Sequence, residues 1–189
     1  PLLPMQAIPA AAHTLPHYDS ARLHTEMALF PQWFVEGLLG YTLNADEKNM
    51  LNGMFELLSQ RALQQAQGVV HRDFHSRNLM VLADERLGMI DFQDAVQGPI
   101  TYDLVSLVRD CYISWSPEQV DDWIGIYRQM AIRAGLLGDI SEADFLQDVD
   151  WMGLQRHIKV LGIFARLHLR DGKSVSYTHL RAHETKANL

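Results

Sequence analysis

A chain of 189 residues with 48% hydrophobic side chains is long enough for one domain with a real core and too short for two large ones. Its formal net charge of -7 argues against a nucleic-acid partner, which would call for clustered Lys and Arg, and its single cysteine, Cys111, excludes an internal disulfide. With no basic leader and no uninterrupted apolar run of about 18 residues, no membrane partner is expected and the cytoplasm is the default location.

In chain order, residues 1–18 are rich in Pro and Ala and read as a hinge-derived or poorly ordered lead-in. A helix is expected from Asp19 to Phe30, with Pro31 starting a second one, because proline is tolerated in a first helical turn. Asn44 caps the next helix, which runs to Gln67 with Leu51, Met54, Phe55, Leu58 and Ala62 on its apolar face and Gly68 as a stop. Gly68-Val69-Val70 reads as a short strand. Leu79–Leu82 and Leu87–Ile90 read as two more, joined as a hairpin by Ala83-Asp84-Glu85-Arg86. Ser116-Pro117 opens a helix with Val120, Trp123, Ile124, Tyr127, Met130 and Ala134 inward, and Ser141-x-x-Asp144 opens the last, with Leu154, Ile158, Leu161 and Ala165 in register. Residues 19–173 thus form the domain. From Ser174 onward the helical period is lost, and the tail 174–189 looks non-native; His179 and His183 in it stand at helical spacing but are not read as a metal pair.

The chemistry concentrates in His71-Arg72-Asp73-Phe74-His75-Ser76-Arg77-Asn78 and in Asp91-Phe92-Gln93-Asp94. An Asp followed five positions later by Asn, then a second Asp returned by a hairpin, matches the groups that magnesium-dependent phosphoryl transfer needs: one carboxylate to take the hydroxyl proton and oxygen ligands for Mg²⁺. Asp73 fits the base, and Asn78 and Asp91 fit the ligands of Mg²⁺ and hence of ATP. Mg²⁺ usually takes one or two carboxylates, completing its octahedron with phosphate oxygens and water. A lone Asp-x-x-x-x-Asn would be ordinary turn chemistry. Two such motifs at hairpin distance are a different matter. His71 is read as a buried ring anchoring the loop. A zinc site at His71 and His75 is rejected, because the residues between them lack the glutamate of the zinc-protease motif and the preceding segment is strand.

The blocks Val70–Phe74, Asn78–Met80 and Ile90–Leu104, with the run Asp-Phe-Gln-Asp-Ala-Val-Gln-Gly-Pro-Ile-Thr-Tyr-Asp, resemble the aminoglycoside phosphotransferase superfamily over roughly Leu15 to Asp171. The resemblance is strongest to its branch of bacterial amino-sugar kinases of cell-wall recycling. It implies an α+β, mostly α fold: the C-terminal lobe of a protein-kinase-like fold with a small catalytic-loop hairpin, the N-terminal β lobe missing. It implies Asp73 as base, Asn78 and Asp91 as metal ligands, and Asp103 as a brace for the catalytic loop. Arg72 stands where the antibiotic kinases usually carry glycine. The implied reaction moves the γ-phosphate of ATP to the anomeric hydroxyl of N-acetylmuramate or N-acetylglucosamine. An aminoglycoside or choline-type kinase and an inactive fragment or binding module are the alternatives, and without a phosphate-covering lobe the chain is expected to be inactive alone.

Overall fold

A computed structural model describes residues 1–12, 14–110 and 113–172, and among them it shows two short antiparallel strand pairs and six α-helices. Cys111 and the tail with His179 and His183 lie outside the described residues. The chain divides into two compact units, one of Pro1–Asp19 with Arg61–Gly153, the other of Ser20–Gln60 with the chain from Leu154 onward. The described residues are mostly helical with small sheets, in keeping with the fold that the resemblance implies.

The first unit is built around a ribbon of β1 (Gln67–Val70) and β4 (Val96–Pro99), antiparallel with Gln67 opposite Pro99 and Val70 opposite Val96. Val69, Val70 and Val96 are buried, each contributing roughly 2 kcal/mol of transfer free energy. Residues 16–18 extend β4 as a short parallel edge, Tyr18 N–H donating to Gln97 at 2.8 Å and Gln97 N–H to Pro16 at 2.9 Å. Glycine is required at position 98, where a β-carbon would come within 2.9 Å of Tyr18 Cβ. The ribbon feeds directly into α4 (Thr101–Val108), of which every residue but Leu107 is buried.

Part of the expected lead-in forms α1 (Leu2–Gln6). Gln6 explains why it is held: its side-chain amide donates to the Ile100 carbonyl at 2.8 Å and accepts from the Tyr127 hydroxyl at 2.6 Å, all of them buried. Burial and the nearby Asp103 carboxylate push the Tyr127 phenol well above its ordinary pKa, so it acts as a fixed donor. Tyr127 belongs to α5 (Pro117–Arg133), capped by Ser116, whose Oγ accepts from Gln119 N–H at 3.3 Å. Its ring stacks on Phe145 in the first turns of α6 (Glu142–Asp171). The expected inward set on α5 is corrected: Ile124, Tyr127 and Ala131 are buried, whereas Trp123 and Met130 are exposed. The latter two line an apolar recess of about 660 Å³ with Phe74, Leu79, Leu104 and Trp115.

The second unit holds α2 (Ser20–Met27), a π-helix over Phe30–Leu38 and most of α3 (Ala45–Gln64). Pro31 does sit in a first turn, yet the helix it opens has the wider π repeat, with Leu39 N–H reaching back to Phe34 at 3.0 Å. The cap of α3 is a reciprocal box: Asn44 Oδ1 accepts from Glu47 N–H and Glu47 Oε2 from Asn44 N–H, each at 2.9 Å. The apolar face of α3 is Phe55, Leu58, Ser59 and Ala62, and Met54 is exposed rather than inward. Lys159 and Glu26 pair at 3.0 Å with little exposure. Gly162 lets α6 approach Leu29 and Phe30 so closely that a β-carbon there would collide with their backbone. Leu154, expected inward, is exposed.

Candidate active site

The polar constellation grows from the end of β1. After Val70 the chain must turn without a further strand partner, and the buried carboxylate of Asp103 supplies one: Oδ2 accepts from His71 N–H at 2.7 Å and Oδ1 from Arg72 N–H at 3.0 Å. Bidentate acceptance by a charged group makes these strong bonds. Arg72 then enters the left-handed region at φ 74°, and the chain reverses through Asp73. Phe74 plugs the loop from below, 2% exposed and edge-on to His71. His75 N–H donates to Asp73 O at 3.1 Å, and a single turn of 3₁₀ helix, Ser76–Asn78, leads into β2 (Leu79–Val81).

Asn78 joins the two motifs. Its Nδ2 donates to the Asp73 carbonyl at 2.9 Å and lies 3.4 Å from Asp91 Oδ2, while its backbone carbonyl accepts from Ile90 N–H at 3.1 Å. Because a carbonyl can only accept, the amide nitrogen must face Asp73 O, which turns Oδ1 the other way. Asp91 arrives as the sequence pattern requires, returned by β3 (Leu87–Met89), which pairs with β2 so that Leu79 stands opposite Met89. The connecting turn is closed by Leu82 N–H to Arg86 at 2.8 Å, with Glu85 at φ 63°.

Asp73, Asn78 and Asp91 are therefore brought to one place by a loop and a hairpin of the same unit. Asp91 is exposed, adopts φ 70°, and has its second oxygen, Oδ1, held by Gln93 Nε2 at 2.7 Å. The contact of Gln93 with Asp91 depends on backbone geometry that composition does not encode. His71 is buried and neither ring nitrogen closes a hydrogen bond of ordinary geometry. Burial lowers its pKa, opposed by the Ile90 backbone and by the charges of Asp73 and Asp91. It is a buried ring packed edge-on against Phe74 at the start of the loop. No group of three His, Cys, Asp or Glu side chains is arranged for a metal among the described residues. The donor set that is present, one carboxylate and one amide oxygen, is of the kind Mg²⁺ uses when phosphates and water complete its shell, and the residues fit that ion.

Residues 4–138 match the family described as phosphotransferase enzyme family, APH. The chain belongs to this phosphotransferase family. It is 44% identical over 172 residues to the N-acetylmuramate/N-acetylglucosamine kinase of Pseudomonas putida, a match covering 91% of this chain and 50% of that protein. To the protein of the same name from Neisseria meningitidis it is 46% identical over 159 residues, covering 84% of this chain and 47% of the relative. The Pseudomonas aeruginosa relative, also so named, is 43% identical over 162 residues, covering 86% and 48%. The phosphotransferase chain thus spans about half the length of the curated relatives it matches. No helix among its described residues is long and apolar enough to cross a membrane.

Proposed function

We propose that this phosphotransferase serves ATP-dependent phosphorylation of the anomeric hydroxyl of an amino sugar, N-acetylmuramate or N-acetylglucosamine, in the cytoplasm. The observation that carries the reading is the bridge made by Asn78 between the Asp73 loop and Asp91, in a chain that is 43 to 46% identical to three kinases named for those sugars. In this reading the described residues are the helical lobe of a kinase-like fold, the lobe that presents the base and the metal ligands.

Asp73 takes the catalytic role. Its carboxylate orients the sugar hydroxyl and accepts its proton as the oxygen attacks the γ-phosphorus. An anomeric hydroxyl is more acidic than an ordinary alcohol, so the demand on the base is modest. Asn78 Oδ1 and the Asp91 carboxylate would hold Mg²⁺ with its bound nucleotide. When bound with ATP, that ion neutralises charge developing on the phosphate oxygens. Gln93 restrains the Asp91 carboxylate, and Asp103 fixes the backbone from which Asp73 projects.

The test joins this chain to the half of the Pseudomonas putida relative that it does not span and supplies ATP, Mg²⁺ and N-acetylglucosamine. A sugar phosphate hydrolysed by mild acid is expected, as a C1 phosphate should be. An acid-resistant product, or kanamycin phosphorylated in preference to the sugar, would contradict the reading.

A further inference from the structure

Arg72 occupies a backbone position better suited to glycine. At φ 74° a β-carbon crowds the following carbonyl, a strain that glycine avoids, yet the chain carries one of its longest side chains there. The side chain is engaged on two sides. Its guanidinium lies over the ring of Tyr18, 5.7 Å from the centroid, and its Nη1 donates to the Asp94 carbonyl at 3.4 Å. Tyr18 is a rigid platform: 1% exposed, edge-on to Tyr102 with centroids 5.4 Å apart, and tied to β4 through its backbone N–H. Asp94 lies in the turn that begins at Asp91 and is closed by Ala95 N–H to Phe92 O at 3.1 Å.

We propose that Arg72 is a positioning residue, clamping the 91–95 turn to the loop that carries Asp73 and so holding Asp91 within reach of Asn78. The inference rests on the phosphotransfer reading for its purpose, though not for its geometry. Asp91 is exposed and its contact with Asn78 is long, at 3.4 Å. The β2–β3 ladder and the Ile90 N–H bond to Asn78 bring the two residues together, and the guanidinium, seated over a buried ring and 3.4 Å from the Asp94 carbonyl, adds a restraint on the far side of Asp91. The strain at Arg72 is then kept because glycine, which would relieve it, has no side chain to form the clamp.

The protein joined to the half it does not span, carrying Arg72→Gly or, separately, Arg72→Ala, separates strain from clamping. Three quantities are read: melting temperature, hydrogen exchange of the Ala95 amide, and Mn²⁺ affinity in the presence of ATP. The Gly variant is expected to melt no lower than the parent and above the Ala variant. Both variants should exchange Ala95 faster than the parent and bind Mn²⁺–ATP about tenfold more weakly, the usual loss when an outer partner of a metal ligand is removed. Parental exchange at Ala95 alongside parental Mn²⁺–ATP binding would overturn the clamp and leave the phosphotransfer reading standing. Equal acceleration at every amide with a lowered melting temperature in the Gly variant would also overturn it, since Arg72 would then be general packing. Faster exchange at Ala95 in a chain whose parent takes up no Mn²⁺–ATP would remove both the metal-positioning role and the reading beneath it.

Discussion

The two strand pairs of the first unit meet opposite fates. Val69, Val70 and Val96 of the β1–β4 ribbon are buried, while Met80, Val81 and Leu87 of the β2–β3 hairpin are exposed, Val81 to 76%. The ribbon is held by its own ladder, by α1 against β1 and by the Asp103 carboxylate, and its end delivers Asp73. The hairpin is held by its own ladder and delivers Asp91 into water. In the proposed reading Asp73, as base, must be placed rigidly, whereas Asp91, as metal ligand, must also be reachable by ion, nucleotide and solvent. Divided support of this kind provides both.

The largest effect should come from the end of the ribbon. Asp73→Asn in the joined protein is expected to lower turnover by about 10²- to 10⁴-fold, the range for loss of a general base, with little change in unfolding free energy. Near-parental turnover would take Asp73 out of its role. Next, Asp103→Asn leaves the His71 and Arg72 amides with a neutral acceptor and one oxygen in place of two. Urea unfolding should show a loss of about 2 to 3 kcal/mol. A smaller contrast sets the strand pairs side by side: Gly98→Ala, which drives a β-carbon into Tyr18, should cost about 1 to 3 kcal/mol, whereas Val81→Thr on the exposed hairpin should fall within about 0.5 kcal/mol of the parent. Equal costs would erase the distinction between the two.

The smallest effect is a pH slope. An unfolded histidine titrates near pH 6.5. Burial holds the folded pKa of His71 below that, against the pull of the Ile90 backbone and of Asp73 and Asp91. On acidification through about 6.5 the unfolded chain therefore binds a proton that the folded chain refuses, and stability falls until the lower folded value is reached. Above about 6.5 no such loss occurs. His71→Gln should flatten the profile on the acid side, and an unchanged acid slope would assign the effect to other histidines.

What was legible in the sequence was local. The hairpin could be read because two apolar runs flank four turn-forming residues, and its consequence, Asp91 returned beside Asn78, follows from pairing geometry alone. The Ser116 and Asn44 caps and both helix starts were equally plain. The ribbon partner of β1 was not, because Val96-Gln-Gly-Pro99 has little strand character and its pairing spans a long stretch of chain. Nor was the π repeat at Phe30–Leu38, where nine residues are too few to separate a wider period from 3.6. Met54, Trp123, Met130 and Leu154 kept helical spacing without being buried, because a stripe can be wider than the surface that covers it. Within the candidate site, residue types and spacing pointed to Asp73, Asn78 and Asp91, while the left-handed backbone of Arg72 and the Gln93 contact with Asp91 depend on a conformation that neither side chain favours.

The central claim concerns where a divalent cation settles when nucleotide is present, and paramagnetic broadening by Mn²⁺ reads that location directly. With ATP added, the account predicts that trace Mn²⁺ erases the side-chain amide signals of Asn78 and the backbone signals of residues 91–93 first. Broadening that spares Asn78 and residues 91–93 and gathers at another acidic stretch would contradict it.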